Sequence, residues 1–357
     1  MNFRIKKLQQ WLGENELDAL LIMKPENRRY FSGFSGSSGI LLISADAAKL
    51  ITDFRYIEQA GTEAPDWEMV CHKANPFDTV KENLDSLHIK TLGFEADFVT
   101  YDQFETMTEK LAPRTLKGQK IDHFRLVKDD FEMAALKQAV SIADQAYAHI
   151  LSFIRPGMTE KQVAMELESI MGHLGSEKPA FDTIVVSGIR SSLPHGQPSD
   201  KVIDPGDLVT MDFGAVYKGY HSDITRTVVI GKATEKQRDL YHLVLAAQLA
   251  GIKAVEPQKT GAAVDQIVRD MIGAAGYGNN FGHGLGHGVG LAIHEGPRLS
   301  PTALTASILL QPGMTVTVEP GIYLPDWGGI RIEDIVVVTA DGCQVLTASS
   351  KEFIEVL

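Results

Sequence analysis

At 357 residues the chain has room for one large domain or two ordinary ones, and its 44% apolar content suits a soluble globular protein with a substantial core. A net charge of −12 argues against nucleic acid or an anionic membrane as partner. No apolar run approaches the ~20 residues that a bilayer-spanning helix needs. No apolar stretch of the signal-peptide kind follows the basic residues Arg4, Lys6 and Lys7. Cys71 and Cys343 lie far apart without ligand-like spacing, so they read as reduced thiols of a cytoplasmic protein.

An amphipathic helix is predicted over residues 3–14 and a short buried strand over 19–23. Pro25 opens a helix toward Tyr30. The small-residue run 31–39 fits neither the Gly-x-x-x-x-Gly-Lys nor the Gly-x-Ser-x-Gly pattern and reads as a packed turn before a strand at 40–44. Strands at 49–52, 67–71 and 92–94 then alternate with helices at 54–60, 76–87 and 101–111. Such alternation predicts an α/β domain on a mostly parallel sheet. His72, His88 and His123 stand isolated in this half.

Near residue 126 the pattern changes, which sets domains at 1–126 and 127–357. A long helical period covers about 129–154 and stops at Pro156-Gly157. A second helix, 159–174, starts on Thr159 with Gln162 three residues on, the spacing of a capping box. Strands follow at 181–187, 208–217, 224–230, 315–318 and 330–339, interrupted by helices at about 234–255 and 260–275. This is an α+β pattern of antiparallel hairpins with helices to one side.

Two features carry chemistry. Between 281 and 295, His283, His287 and His294 are interleaved with glycines, which permit positive φ and close approach. Histidine is the commonest metal ligand. Alone, this stretch is equally well a glycine-rich turn with surface histidines. Four acidic residues in strand-like settings shift the balance. If Lys218-Gly219 is a two-residue turn, Gly214 faces Asp223, and Asp212 lies diagonal to Asp223 on the same face, roughly 7–8 Å away at Cα. In the second hairpin a loop centred on Asp326 sets Glu319 opposite Glu333, with Arg331 on the same face as Glu333. Carboxylates directed inward from apolar strands are costly unless a cation neutralises them. Four carboxylates and an imidazole suit two hard divalent ions better than a thiolate-type structural zinc. Competing patterns fail: Asp212-Phe-Gly has no kinase loops beside it, the 282–290 glycines miss the dinucleotide fingerprint, and His294-Glu295 lacks the second zincin histidine.

Taken in order, Asp212, Asp223, His287, Glu319 and Glu333 resemble the five metal ligands of the pita-bread metallopeptidases, which include methionine aminopeptidase, aminopeptidase P and prolidase. The resemblance spans the chain. Residues 127–357 resemble the α+β pita-bread (creatinase/aminopeptidase) catalytic domain, and 1–126 the α/β N-terminal domain of the creatinase, prolidase and aminopeptidase P branch. Pro194-His195-Gly196, His283 and Arg331-Ile-Glu333-Asp334 are similar to the proline-specific members. Creatinases share the fold without the ligand set. Within that branch, 31–39 and 52–60 resemble aminopeptidase P.

The resemblance implies two divalent ions, manganese foremost with cobalt or zinc as alternatives. Asp212 would be terminal on one ion, His287 and Glu319 on the other, with Asp223 and Glu333 shared. It implies hydrolysis of the bond between an N-terminal residue and a following proline. Glu319 would shuttle the proton, His195, His283 and His294 would orient substrate and stabilise the oxyanion, and Arg331 would hold Glu333. The expected activity is that of an Xaa-Pro aminopeptidase, with an Xaa-Pro dipeptidase as the alternative and a non-catalytic binding protein on the same fold as the remaining one. The expected partner is a small peptide with proline second, and the expected assembly a homodimer in the cytoplasm.

Overall fold

The computed structural model describes residues 3–302 and 307–356. Positions 1, 2, 303–306 and 357 lie outside the description. The chain divides into two compact units, the first ending at Phe124 and the second beginning at Arg125.

The first unit contains helices α1 (Phe3–Glu14), α2 (Pro25–Ser32), α3 (Ile57–Glu63), α4 (Pro76–Ser86) and α5 (Tyr101–Lys110). Its strands are β1 (Ala19–Ile22), β2 (Ile40–Ser44), β3 (Ala48–Thr52), β4 (Glu68–Cys71), β5 (Thr91–Glu95) and β6 (Thr115–Gln119), in sheet order β4-β3-β2-β1-β5-β6. The expected mostly parallel sheet is mixed. β2 runs antiparallel to both β1 and β3, whereas β1–β5, β3–β4 and β5–β6 are parallel. For β2 and β3 the reason is connection length, since the three residues between them can close a hairpin but not a crossover. α3 starts later than the sequence suggests. Asp53 Oδ1 accepts from Arg55 N at 3.0 Å and from Arg55 Nε at 2.8 Å, which holds 53–55 in an Asx turn. In the run 31–39, Arg28 donates to the carbonyls of Gly36 and Gly39 at 2.5 and 2.9 Å, so a side chain of the protein fills this turn.

The second unit repeats one device twice. α6 (Asp130–Phe153) and α7 (Glu160–His173) pack on one sheet built from β7 (Ile184–Ser187), β8 (Leu208–Phe213) and β11 (Ile224–Ile230). β8 continues through β9 (Val216–Tyr217), the Lys218-Gly219 turn and β10 (Tyr220–His221) before β11. α8 (Glu235–Ala254) and α9 (Gly261–Ala274) pack on the second sheet. It holds β12 (Gly286–Gly288), β13 (Glu295–Leu299), β14 (Thr315–Val318), β17 (Asp334–Val338) and β18 (Cys343–Val345), while β15 (Gly321–Leu324) and β16 (Gly328–Arg331) form a hairpin. β19 (Glu355–Val356) closes the edge beside β11.

Strand alternation decides which side chains meet. Val209, Met211 and Phe213 of β8 join the core under α6 and α7, so Thr210 and Asp212 face away from those helices. Val316 and Val318 of β14, with Val336 and Val338 of β17, join the core under α8 and α9. Thr315, Thr317, Glu319 and Glu333 therefore face away from that pair.

A buried ion pair fastens the two sheets. Arg226 on β11 is fully buried and donates to Asp334 Oδ1 of β17 at 2.7 Å, to the Glu333 carbonyl and to the carbonyls of Ser349 and Ser350. Asp334 Oδ2 accepts from Gln248 at 2.9 Å and from Lys351 at 2.5 Å. Asp334→Ala leaves this guanidinium without its carboxylate. It should destabilise the protein by about 3–5 kcal/mol, read as a lower denaturant midpoint in chelator. A loss below about 1 kcal/mol would rank the pair with exposed ones.

Candidate metal centre

The register expected from the Lys218-Gly219 turn is present. Tyr217 pairs with Tyr220, Val216 with His221, Phe213 with Ile224 and Asp212 with Thr225. This sets Gly214 opposite Asp223 and Asp212 one step away on the same face. The turn residues have φ of +49° and +79°, as the commonest two-residue hairpin turn requires.

The second hairpin keeps one register through an interruption. Val318 pairs with Asp334 in β14–β17, and Gly321 pairs with Arg331 in β15–β16. Glu319 and Glu333 fall opposite each other in the gap between these ladders. Their amides leave the ladder: Glu319 N donates to Leu285 O at 2.8 Å and Glu333 N to Thr225 O at 3.1 Å.

His287 enters on β12. No glycine from 282 to 290 has positive φ; Gly286 and Gly288 are there for close approach. A Cβ on Gly286 would lie 2.0 Å from Thr317 O, and one on Gly288 2.0 Å from Gly296 O. Only glycine lets β12 sit so tightly between its neighbours.

The ring of His287 has a defined tautomer. Its Nδ1 lies 3.0 Å from Gly288 O, and a carbonyl can only accept, so Nδ1 carries the proton. Burial, and then neighbouring His294, push its pKa down to about 3. The Nε2 lone pair therefore faces Asp223 Oδ2 at 3.5 Å and Glu319 Oε1 at 3.3 Å. Asp223, His287 and Glu333 each offer a ligand atom within 4.8 Å of the others. Burial and then the Glu333 charge push Asp223 well above the usual carboxylate range. Burial and then the Glu319 charge do the same to Glu333, and burial raises Glu319 to about 7. Asp212 Oδ1 and Glu333 Oε1 are buried without a described hydrogen-bond partner. Lone pairs and carboxylates directed at one another, with two oxygens unsatisfied, are the surroundings of a hard divalent cation. The residues present fit such a group.

Arg331 corrects one expectation. Its Nη2 donates to Asp212 Oδ2 at 2.6 Å, not to Glu333. It reaches Glu333 only through Thr225, whose hydroxyl accepts from Arg331 Nε at 3.0 Å and donates to Glu333 Oε2 at 2.7 Å. Thr317 plays a similar part for Glu319, donating to its Oε1 at 3.0 Å while accepting from His287 N at 3.0 Å. Both threonines lie two residues from an acidic residue on the same strand face, the one sequence signal that could have found them. Tyr323 was also missed. Its hydroxyl accepts from Arg331 Nη1 at 2.8 Å and lies 2.9 Å from His283 Nε2. His283 Nδ1 lies 2.8 Å from Gly284 O, so both ring nitrogens of His283 are engaged within the protein.

A cavity of about 620 Å³ opens on this cluster, its walls including His195, His294, Phe181, Arg298 and Ser300. The His294 ring stands edge-on to His287 at 4.4 Å. Glu295, which follows it, is buried against Lys128 at 2.8 Å and Arg125 at 3.3 Å, anchoring this end of the histidine stretch. Asp265 and Arg269 of α9 hold the other end through Leu285 N and the carbonyls of Phe281 and His283. Among the described residues no helix is long and apolar enough to cross a membrane.

Residues 134–340 match the model of metallopeptidase family M24, and residues 4–127 that of the creatinase/prolidase N-terminal domain. The chain belongs to metallopeptidase family M24. It is 42% identical to an Xaa-Pro dipeptidase of Pyrococcus furiosus over 99% of this chain and 100% of that one. Its fold matches the solved Xaa-Pro dipeptidase from Bacillus anthracis with a TM-score of 0.95 at 45% identity, covering 99% of each chain. It matches an X-Pro aminopeptidase from Thermotoga maritima with a TM-score of 0.91 at 40% identity, over 99% and 100% of the two chains. The protein is thus a metallopeptidase of the pita-bread fold, with a creatinase-type N-terminal domain before the catalytic domain.

The acidic cluster predicts a pH-dependent stability. Asp223, Glu319 and Glu333 have raised pKa values in the folded chain, so they hold protons that unfolded carboxyls release near about 4. Their contribution is full below that value and is lost as pH rises through the folded values, about 7 for Glu319. Chelated protein should therefore lose thermal stability from pH 5 to 8, and divalent cation should restore it most at the high end. Glu333→Gln should raise the unfolding temperature of chelated protein at pH 8. A flat profile in chelator would refute the raised pKa values.

Proposed function

We propose that the protein is an Xaa-Pro dipeptidase, a prolidase. The sequence favoured the aminopeptidase form of this chemistry. Relatives carry both names, and dipeptidases or prolidases predominate among the similar proteins. Arg298 is the observation that carries the choice. It pairs in register with His287 across β12–β13 and lines the cavity. It is half-buried, and no described carboxylate or carbonyl accepts from its guanidinium. A cation left open in the cavity wall suits a free carboxylate, which follows proline directly only in a dipeptide.

Catalysis is assigned to 127–357. Asp212, Asp223, His287, Glu319 and Glu333 would hold two divalent ions, manganese first by the predominance of oxygen donors. When bound, such ions lower the pKa of water and polarise the carbonyl before proline. Glu319 takes the proton of the attacking water and delivers it to the proline nitrogen as the peptide bond breaks. His195 and His294, in the cavity wall, position the substrate and donate to the developing oxyanion. His283 steadies Tyr323, and Arg331 holds Asp212 in place. Proline has no amide N–H, so a cavity that offers that nitrogen no acceptor loses nothing with proline and leaves the donor of any other residue unsatisfied.

Arg298→Ala should raise KM for an Xaa-Pro dipeptide by about tenfold to a hundredfold, from losing a charged hydrogen bond, with kcat changed far less. Steady-state kinetics on a dipeptide, its proline amide and a matching tripeptide check this. Faster turnover of the tripeptide by wild type would replace the dipeptidase with an aminopeptidase.

A further inference from the structure

His195 has no described hydrogen bond of its own ring, although it lines the cavity. Its place depends on the backbone of 187–199, a segment with little regular structure beyond one 3-10 turn, Gly188–Ser192. Exposed Ile189 and Leu193 show that apolar packing does little to hold this segment. Beside the bond from Gly329 N to Ser191 Oγ at 2.8 Å, one side chain from outside it does. Glu160, the first residue of α7, is fully buried. Its Oε1 accepts from Ser187 N at 2.7 Å and Ser187 Oγ at 3.0 Å. Its Oε2 accepts from Ser199 N at 3.0 Å and Ser199 Oγ at 2.7 Å. Arg190 Nε donates to the same carboxylate at 3.1 Å and passes the restraint on, since Arg190 Nη2 donates to Gln197 O at 2.7 Å. One carboxylate thus ties both ends and the middle of the segment. Between these ties, Gly196 packs where a Cβ would lie 2.6 Å from Val186 Cγ1, which presses the chain beside His195 against β7.

We propose that Glu160 is a positioning residue for the reaction, acting through His195 by closing the 187–199 loop. It touches neither the cavity nor the acidic cluster. Buried charged hydrogen bonds of this number fix a loop far more firmly than neutral ones. A displacement of His195 by about an ångström is enough to lower turnover by up to about a hundredfold. The proposal rests on His195 acting on the substrate of an Xaa-Pro peptidase.

The test is a double-mutant cycle on the full chain loaded with manganese, with Glu160→Gln and His195→Ala alone and together, read with an Xaa-Pro dipeptide. Glu160→Gln should lower kcat/KM about tenfold or more in the wild-type background and leave it unchanged in the His195→Ala background. Bound metal per chain should be the same in all four proteins. Hydrogen exchange should quicken in peptides covering 187–199 and nowhere else in the second unit. If Glu160→Gln does not fold, Ser199→Ala, which removes one of the ties, should show the same dependence on His195 at smaller size. Equal losses in both backgrounds, loss of metal, or exchange quickening throughout the unit would overturn the proposal. A wild type without activity on Xaa-Pro peptides would instead sink the functional reading, and the exchange result would still judge the loop.

Discussion

The second unit is built around a charge problem. Asp212, Asp223, Glu319 and Glu333 meet on the faces of two sheets whose opposite faces are apolar core. One guanidinium, Arg331, stands among them, and it is committed to Asp212 and Tyr323. The remaining carboxylates accept from no protein cation among the described residues, and Arg298 in the cavity wall acts on Glu319 only through space. The chain therefore folds into a state that is electrostatically unfinished, and a divalent ion completes it. Stability and catalysis share one cause here, because the burial and mutual charge that raise the carboxyl pKa values also favour a cation among them.

Around this cluster the protein places short polar links instead of further charge. Thr225 and Thr317 each bond a carboxylate on one side and a neighbouring donor on the other. Each hydroxyl supplies direction at little cost in desolvation. Charges return one layer further out, where they hold backbone: Glu295 with Lys128, Asp265 with Arg269, Arg226 with Asp334. The inner layer orients the carboxylates and the outer one anchors the segments that carry them, a division expected when a site must be held to fractions of an ångström.

Much of this was legible in the sequence because it depends on local rules. Thr159-Gln162 forms the capping box that its spacing indicates. Lys218-Gly219 sets a register, and period-two alternation does the rest. What stayed hidden depends on tertiary choice. β2 pairs antiparallel with β3 because of a short connection, and β6 was passed over because its half-exposed Thr-Leu-Lys-Gly-Gln has no apolar run. β12 is a strand of glycines around one histidine, with none of the β-branched signal that marks strands. Arg331 lies on the face of Glu333, yet its long side chain reaches across to Asp212, which alternation alone cannot foresee. Substrate length was illegible for the same reason, because an arginine's lack of a partner is visible only once its surroundings are assembled.

The unbroken register on either side of the Glu319–Glu333 gap has an evolutionary consequence. The turn between β15 and β16 lies away from the acidic cluster and is capped by Asp326 at φ +63°. Surface turns of this kind ordinarily drift in length. Here a single inserted residue that slipped the ladder would send Glu333 to the opposite face, because side chains alternate with period two. The hairpin acts as a ruler for the cluster, so exposed Pro325 can be exchanged more freely than the number of residues in the turn can change.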